Sequence, residues 1–313
     1  MIPVLNEQGN IAPLYQKIVS VMRDLDCDFE LLFVDDGSTD ASLQQMQELR
    51  QKEARVKILS LSRNFGHQMA LTAGMDHATG DACMLMDADL QHPPDIIKEL
   101  VSRWRQGYEI VFTIRKSTEN SGFLKRATAR MFYAIFRGLS GIELAANTAD
   151  FRLLDRKVIT AFSGIRERVR FLRGLTGWVG YKTIGVSYRA SQRLTGSTKY
   201  SFFWMLRLAI DGLTSFTAVP LYLAIYAGVT LTFIGSLYAP YAIYMRFMTH
   251  RAVAGWASLM TVVCFIGGLQ LLLTGVLGLY IAKIYEEVKQ RPLYLVRQSF
   301  GVDPAPENRS PFE

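Results

Sequence analysis

Residues 29–40 (FELLFVDDGSTD) and residues 82–91 (ACMLMDADLQ) decide the fold. Each segment begins with an almost continuous apolar run, which is typical of a strand covered on both faces, and ends in closely spaced aspartates. In a sheet of parallel strands the carboxyl ends share one edge, and ligands bind in the crevice there. We therefore expect Asp36 and Asp89, which follow two different strands, to face the same crevice.

Strand and helix patterns alternate around these two segments. The predicted strands are 29–35, 56–61, 82–87 and 109–114, and the predicted helices are 10–25, 41–53, 67–78, 95–106 and 155–162. This alternation predicts an α/β domain with a Rossmann-like, mostly parallel sheet. A further strand ends at Pro3, and because so short a strand should begin earlier, we expect residues to be missing before Met1.

Two long segments contain no charged side chain. Residues 212–245 and 252–282 lack Asp, Glu, Lys and Arg, and each exceeds the roughly 20 apolar residues that cross a bilayer. They predict a hairpin of two transmembrane helices, 214–245 and 252–282; two buried helices of a soluble protein are the alternative. Residues 200–213, which combine aromatic residues with Arg207 and Asp211, predict an amphipathic helix in the membrane interface.

The basic residues around these segments predict their orientation. Only Arg246 and Arg251 lie between the two spans, whereas seven lie on the outer flanks: Arg193, Lys199, Arg207, Lys283, Lys289, Arg291 and Arg297. Lysine and arginine are enriched on the cytoplasmic side of membrane proteins. We therefore expect a multi-pass protein of the plasma (inner) membrane. Its catalytic domain (residues 1–199), its tail (residues 283–313) and both termini would be cytoplasmic.

The formal net charge of +7 favours anionic partners. Because the chain also has membrane-spanning patterns and lacks an aromatic–basic RNA-binding motif, we expect membrane lipids and phosphorylated substrates rather than nucleic acid. Cys27, Cys83 and Cys264 are scattered and odd in number. They predict neither a disulfide framework nor a metal site.

The two acidic segments allow both functional and structural interpretations. Asp87 and Asp89 offer the carboxylate oxygens that Mg²⁺ or Mn²⁺ prefers, together with substrate phosphate oxygens, but such pairs also occur in solvated turns and helix caps. Asp36 could accept hydrogen bonds from a nucleoside, whereas Ser38 or Thr39 could cap the helix that follows. These alternatives stay open from the residues alone.

Three motifs together resemble glycosyltransferase family 2: residues 3–7 (PVLNE), 35–40 (DDGSTD) and 87–94 (DADLQHPP). The resemblance is greatest to the polyprenyl-phosphate branch, which includes the bactoprenol glucosyltransferases and dolichol-phosphate mannose synthase. It covers roughly the first 200 residues by motif, and the two-helix anchor also resembles the bactoprenol enzymes. The resemblance implies a GT-A fold and sugar transfer with inversion of the anomeric configuration.

The resemblance also implies a set of site residues. The implied metal ligands are Asp87, Asp89 and Gln91. The residues implied to contact the nucleotide-sugar are Pro3, Leu5, Glu7, Val34, Asp36, Asp87, Ala88, Arg115, Arg193 and Lys199. Leu5 replaces an aromatic residue of many relatives, which weakens the expected base stacking. A surface salt bridge is the alternative for Arg115, and ordinary membrane-flanking charge is the alternative for Arg193 and Lys199.

Asp150, in residues 147–154 (NTADFRLL), matches the residue proposed as catalytic base in the family, and Asp89 is the other residue implied in catalysis. A phosphate monoester has a second pKa of about 6, so it is mostly dianionic at neutral pH and hardly needs a base. We therefore expect Asp150 to orient the acceptor as much as to remove a proton. A structural pairing with Arg152 is the alternative. We predict structural roles for His67, His77 and His92.

The implied reaction is transfer of a hexose to a polyprenyl phosphate such as undecaprenyl phosphate, with UDP-glucose as the expected donor and a role in cell-surface glycan modification. Mannosyl or aminoarabinosyl transfer to the same lipid is one alternative, and a non-catalytic membrane scaffold that binds nucleotide is another. A processive polysaccharide synthase is disfavoured, because no QxxRW-type pattern precedes residues 177–180. We expect a separate flippase or downstream transferase as a partner, and a homo-oligomer stays open.

Overall fold

The computed structural model describes residues 1–115, 148–168, 170–188, 218–248 and 255–302. The chain divides into two compact units. One unit combines Met1–Ser201 with Arg291–Glu313, and the other is Phe202–Gln290. The segment that follows the long helices of the second unit therefore belongs to the same unit as the acidic motifs.

A first sheet of four strands contains the end of the DDGSTD segment. Its strands are β1 (Ile2–Val4), β2 (Leu31–Asp35), β3 (Val56–Leu61) and β8 (Val296–Phe300), in that spatial order. The first three strands are parallel, and β8 pairs antiparallel with β3. Every residue of β1 and β2 is buried, as expected for strands covered on both faces.

A second sheet of four strands contains the strand before the DADLQ segment. Its strands are β4 (Ala82–Leu85), β5 (Ile110–Arg115), β6 (Thr148–Asp155) and β7 (Thr183–Tyr188), in the spatial order β4-β6-β5-β7. The central strand β6 is antiparallel to both of its neighbours, whereas β5 and β7 are parallel. Because β6 runs in reverse, its first residues lie beside the carboxyl end of β4.

Two backbone hydrogen bonds join the sheets. The amino group of Met1 donates to the carbonyl of Met84 (2.8 Å), and the amide of Met86 donates to the carbonyl of Met1 (3.1 Å). The predicted α/β class is confirmed, but a single, mostly parallel sheet is wrong. Antiparallel β6 and β8 make both sheets mixed, because these strands return from segments that the apolar pattern did not identify.

Helices of the first unit follow the predicted alternation, with ends that differ by up to three residues. They are α1 (Ile11–Met22), α2 (Ser42–Lys52), α3 (His67–His77), α4 (Ile96–Arg105), α5 (Arg156–Gly164) and α6 (Leu172–Trp178). In α1, the residues Ile11, Leu14 and Ile18 are buried and Gln16 is not, which is the one-sided pattern of a helix packed on a sheet. Helix α6 and strands β6, β7 and β8 were not predicted.

The second unit contains two long helices, α7 (Val219–Met248, 30 residues) and α8 (Trp256–Val288, 33 residues). Among the residues described, one segment, Phe265–Val288, is long and apolar enough to cross a membrane, and Leu221–Leu231 is a shorter apolar segment. The structure therefore provides one candidate span, and a hairpin of two spans stays a prediction. The predicted interfacial helix, residues 200–213, lies outside the described residues.

Residues Arg291–Phe300, which we name the C-terminal strap, connect the end of α8 to the edge of the first sheet. They end in β8, which pairs with β3. Before β8, the Tyr294 hydroxyl donates to Asp76 Oδ2 (2.9 Å) at the end of α3, and Arg166 Nη1 contacts the same oxygen (2.7 Å). The strap is thus an integral part of the first unit, although the sequence identified it only as a tail.

Candidate active site

Asp36, at the end of β2, fixes the loop that leads into α3. Its carboxylate accepts hydrogen bonds from the backbone amides of Phe65 (2.7 Å) and Gly66 (2.9 Å), and the residue is 3% exposed. Burial raises the pKa of Asp36 above its usual value, although the two amide hydrogen bonds act against this shift. Asp36 therefore holds the start of α3, and with it His67, at the carboxyl end of the first sheet.

The DADLQ segment forms a tight turn after β4. The amide of Gln91 donates to Asp89 Oδ1 (3.1 Å), and Leu90 has a positive φ of 59°. Asp87 and Asp89 are half-buried, whereas Ala88 is 4% exposed. Arg115, at the end of β5, donates to Gln91 Oε1 (3.4 Å), so the carboxyl ends of β4 and β5 contribute to one site.

His92 supports Asp87 from the protein interior. Its Nε2 lies 3.1 Å from Asp87 Oδ2, and its Nδ1 lies 3.0 Å from the hydroxyl of Tyr188, the last residue of β7. Both contacts are satisfied when Nε2 donates to Asp87 and the Tyr188 hydroxyl donates to Nδ1. Burial raises the pKa of Tyr188, which keeps its hydroxyl as the donor. The hydrogen-bonded chain Tyr188–His92–Asp87 thus orients the first carboxylate of the segment.

His67, the first residue of α3, bridges two carboxylates. Its Nε2 lies 3.5 Å from Asp87 Oδ1 and 3.7 Å from Asp150 Oδ2. Burial acts to lower the pKa of His67, but the hydrogen bond to Asp150 and the charge of Asp87 raise it above its ordinary value. His67 therefore links two residues that the sequence placed in the site, and both carboxylates favour its protonated form.

Asp150, near the start of β6, contacts two arginines. Arg173, on α6, donates from Nε to Oδ1 (2.8 Å) and from Nη2 to Oδ2 (2.9 Å), and Arg152 Nη2 lies 3.3 Å from Oδ1. Burial would raise the pKa of Asp150, but the hydrogen bond with His67 and the charges of Arg173 and Arg152 hold it far below its usual range. Asp150 is thus a strongly held anion in the described structure.

The structure brings five of the predicted site residues into one cluster: Asp87, Asp89, Gln91, Arg115 and Asp150. Others lie along the first sheet. Pro3 and Val34 are buried within β1 and β2, and Leu5 is 41% exposed just after β1. Glu7 accepts a hydrogen bond from Asn10 (2.5 Å). Arg193 and Lys199 lie outside the described residues.

Sequence reasoning missed three residues of this cluster: His67, His92 and Arg173. The spacing of His67 matches no metal motif, and the two prolines after His92 indicate a rigid turn, so the sequence predicts structural roles for both. His92 follows the acidic segment directly, so its position was a usable signal. His67 and Arg173 reach the site only through the placement of α3 and α6, which no local pattern indicates.

The donor set of the acidic segment suits a hard cation that takes its remaining ligands from a substrate. Within the described ranges, no group of three His, Cys, Asp or Glu side chains is arranged to hold a metal ion. Asp87 and Asp89 are nevertheless two oxygen donors on one turn. Ions such as Mg²⁺ are commonly bound by one or two carboxylates plus substrate phosphates and water. The residues present fit such an ion.

Comparison with known proteins gives one consistent family. The profile of glycosyl transferase family 2 matches residues 1–162. An uncharacterized glycosyltransferase of Bacillus subtilis is 44% identical, with 97% of this chain and 94% of the relative covered. A prophage bactoprenol glucosyl transferase homolog of Escherichia coli is 37% identical (95% and 97% covered). A bactoprenol glucosyl transferase of Shigella phage SfII is also 37% identical (97% and 98% covered). The chain therefore belongs to glycosyl transferase family 2.

Proposed function

We propose that this glycosyltransferase moves glucose from a nucleotide-sugar, UDP-glucose, to a polyprenyl phosphate. One observation carries the proposal: the similarity to bactoprenol glucosyl transferases extends over at least 95% of this chain and 97% of each relative. It therefore includes the region of the long helices as well as the acidic cluster. A relative that shared only the nucleotide-binding motifs would not match across the helical unit.

The donor would bind at the carboxyl ends of β2, β4 and β5. Asp87 and Asp89, with Gln91, would hold a divalent cation, Mg²⁺ or Mn²⁺, which supplies positive charge to the diphosphate when bound. Arg115 adds a fixed cation at the end of β5. Because charge accumulates on the leaving diphosphate as the glycosidic bond breaks, such a cation stabilises the transition state more than the ground state.

The nucleoside would lie along the first sheet. Pro3, Leu5, Glu7, Val34 and Asp36 are the residues proposed to line its pocket, with Ala88 beneath the diphosphate. In this proposal Asp36 acts mainly through the loop that it holds, because its carboxylate already accepts two backbone hydrogen bonds. Arg193 and Lys199 are proposed to contact the diphosphate from a separate segment.

The acceptor phosphate would attack the anomeric carbon with inversion. Asp150 is poorly suited to remove a proton, because its neighbours hold its pKa far below its usual range, with the hydrogen bond to His67 and the charge of Arg173 outweighing the effect of burial. The dianionic acceptor also needs no base at neutral pH. We propose that Asp150 organises the positive groups around the acceptor.

The helical unit would keep the enzyme at the membrane where the lipid acceptor resides. We propose a hairpin of two spans, 214–245 and 252–282, preceded by an interfacial helix at 200–213 and followed by the tail 283–313, with the catalytic residues 1–199 in the cytoplasm. One candidate span, Phe265–Val288, supports the membrane location. A separate flippase or downstream transferase would use the lipid-linked sugar, and a homo-oligomer is compatible with this arrangement.

A transfer assay with purified protein in detergent tests the function. The protein receives undecaprenyl phosphate, Mg²⁺ or Mn²⁺, and radiolabelled UDP-glucose, UDP-N-acetylglucosamine or GDP-mannose in separate reactions. We expect lipid-soluble label from UDP-glucose and its loss in Asp89→Asn. Asp95→Asn is the matched control, because Asp95 is an exposed aspartate just beyond the same segment.

The other outcomes separate the alternatives. Label from GDP-mannose alone would replace the glucosyl assignment by a mannosyl one. Nucleotide binding without lipid label from any donor would favour the scaffold or a rarer donor such as an aminoarabinosyl one. Equal activity of Asp89→Asn and the control would contradict the role of the acidic segment.

A further inference from the structure

Asp150 is in contact with two guanidinium groups. Arg173 contacts both of its oxygens (2.8 and 2.9 Å), and Arg152 contacts one of them (3.3 Å). Arg152 is 2% exposed, whereas the Arg173 side chain is 36% exposed. Arg173 is therefore the guanidinium group of this pair that a substrate can reach.

The position of Arg173 is fixed at both its backbone and its guanidinium group. The amide of Leu172, the first residue of α6, donates to Gln68 Oε1 (3.2 Å) on α3. Arg152 Nη1 donates to Thr176 Oγ1 (3.1 Å) on the same helix. With the two contacts to Asp150, these bonds orient a cation before any substrate binds, which lowers the ordering cost of binding.

The location of this cation relates it to the reacting groups. His67 Nε2 lies 3.7 Å from Asp150 and 3.5 Å from Asp87, so a single side chain separates the Asp150–Arg173 pair from the acidic turn. A planar guanidinium matches phosphoryl oxygens in geometry and charge. Both substrates of the proposed reaction carry such oxygens.

We propose that Arg173 binds phosphoryl oxygens of a substrate, and that Asp150 is the positioning residue that holds its guanidinium group. The inference rests on the proposed function and extends it to a residue that no sequence motif identified. The same chemistry is offered by the monoester of the acceptor and by the diphosphate of the donor. The affected affinity constant identifies which of them Arg173 contacts.

The test compares Arg173→Gln, Arg173→Lys and a matched control, Arg103→Gln, which removes an arginine paired with Glu99 on α4 (3.5 Å). The measurements are kcat and KM for undecaprenyl phosphate, and the Kd of the nucleotide-sugar by calorimetry.

We expect Arg173→Gln to weaken one affinity by about 10- to 100-fold, the range for a lost charge-assisted hydrogen bond. We expect kcat to change less than about threefold if Arg173 contacts the acceptor monoester, and to fall together with the donor affinity if it contacts the diphosphate, on which charge accumulates in the transition state. The affinity of Arg173→Lys should lie between those of the wild type and Arg173→Gln, because lysine keeps the charge but not the planar group.

The positioning role of Asp150 is tested with Asp150→Asn and the double variant Asp150→Asn/Arg173→Gln. If Asp150 acts through Arg173, the double variant loses no more affinity than Arg173→Gln alone. A fall in kcat with both affinities unchanged would overturn the proposal, because it would mean that Arg173 only supports Asp150. Multiplied losses in the double variant would overturn it as well.

Failure of the inference is distinct from failure of the proposed function. An inactive wild-type protein contradicts the function, whereas an active wild type with unchanged Arg173→Gln kinetics contradicts the inference alone. Circular dichroism melting of each variant shows that the fold is retained before kinetics are compared.

Discussion

At Asp150 two opposing effects act on one carboxyl group. Burial favours its neutral form, whereas His67, Arg173 and Arg152 favour its anion, and the net result is a pKa held far below the ordinary value. A depressed folded-state pKa gives stability that is complete above the unfolded pKa of about 3.9 and is lost as the pH falls toward the folded value.

We predict that Asp150→Asn lowers stability most near neutral pH. Removing one partner of a buried ion pair lowers the free energy of unfolding by about 3 kcal/mol. For a domain of this size, that loss lowers Tm by roughly 6–12 °C. The difference in Tm from wild type should shrink progressively below about pH 4, because Asp150 then takes up a proton in the unfolded chain while its folded carboxylate stays ionised. Thermal melting followed by circular dichroism between pH 3 and pH 7, with Asp95→Asn as control, measures this. A difference independent of pH would show that the charge of Asp150 contributes nothing.

Two glycines beside Asp36 provide a matched pair. Gly37 has a φ of +75°, and a Cβ there would lie 2.6 Å from backbone atoms of Arg63 and Asn64. Gly66 also has a positive φ (+98°), but no atom lies within 4 Å of its Cβ position. Both substitutions carry backbone strain, whereas only the first also forces two backbone segments apart.

We predict that Gly66→Ala lowers the free energy of unfolding by about 1–3 kcal/mol, from backbone strain alone. Gly37→Ala should lower Tm at least twice as much, because rigid backbone rather than a flexible side chain must move. Thermal melting of the two variants and the wild type, followed by circular dichroism, compares their Tm values. Similar losses would mean that the turn after β2 relaxes easily and that the contact of Gly37 is unimportant.

Some strands were predicted by the local apolar pattern of the sequence, whereas others form only through pairing with residues far away in the chain. Strands β2, β3 and β4 are short apolar runs that stop at polar residues, and these were predicted. Strand β8 (VRQSF) is almost entirely exposed and becomes a strand only by pairing with β3, so its composition gives no signal.

The candidate site divides in the same way. The carboxylates at the ends of β2 and β4 follow from the rule that strand ends carry ligands. Arg173 reaches Asp150 only because β6 runs antiparallel and α6 contacts it through Arg152 and Thr176, and neither feature is encoded within a few residues. Sequence therefore predicted the acidic half of the site and missed most of its cationic half.

The C-terminal strap supports a prediction at the scale of one element. Tyr294 and Arg166 share one oxygen of Asp76, and burial raises the pKa of Tyr294, so its hydroxyl remains a donor. Tyr294→Phe should lower the free energy of unfolding by about 1 kcal/mol, the usual net contribution of one hydrogen bond. Hydrogen–deuterium exchange should then increase at residues 296–300 and at β3, and not at β4. A uniform increase over both sheets would contradict a local role for the strap.

At the scale of the whole chain, the proposed hairpin places residues 249–250 on the opposite side of the membrane from the first unit. Cys27 is exposed on the first unit, whereas Cys83 is buried, so Cys27 is a natural labelling site there. We predict that a membrane-impermeant maleimide labels Cys27 in inverted vesicles but not in intact cells. In a variant with Cys27 and Cys264 replaced by serine, Thr249→Cys should show the opposite behaviour, because residue 249 lies between the two proposed spans.

The labelling result has clear alternatives. If the cysteine at position 249 were not labelled by the maleimide in intact cells, the chain would not form two complete spans. Labelling of Cys27 in intact cells would place the acidic site on the outer face, where cytoplasmic nucleotide-sugars are absent.

The return of β8 to β3 also sets an order of events during protein synthesis. Ribosomes make β3 early and β8 only after both long helices, so the nascent first sheet has an open edge at β3 throughout that interval. Open strand edges pair readily with other chains. The edge of β3 is therefore available for pairing with other chains until the final strand arrives. Chains truncated within α8 would keep this edge exposed, so they should aggregate or be degraded even though every residue of the acidic turn is present.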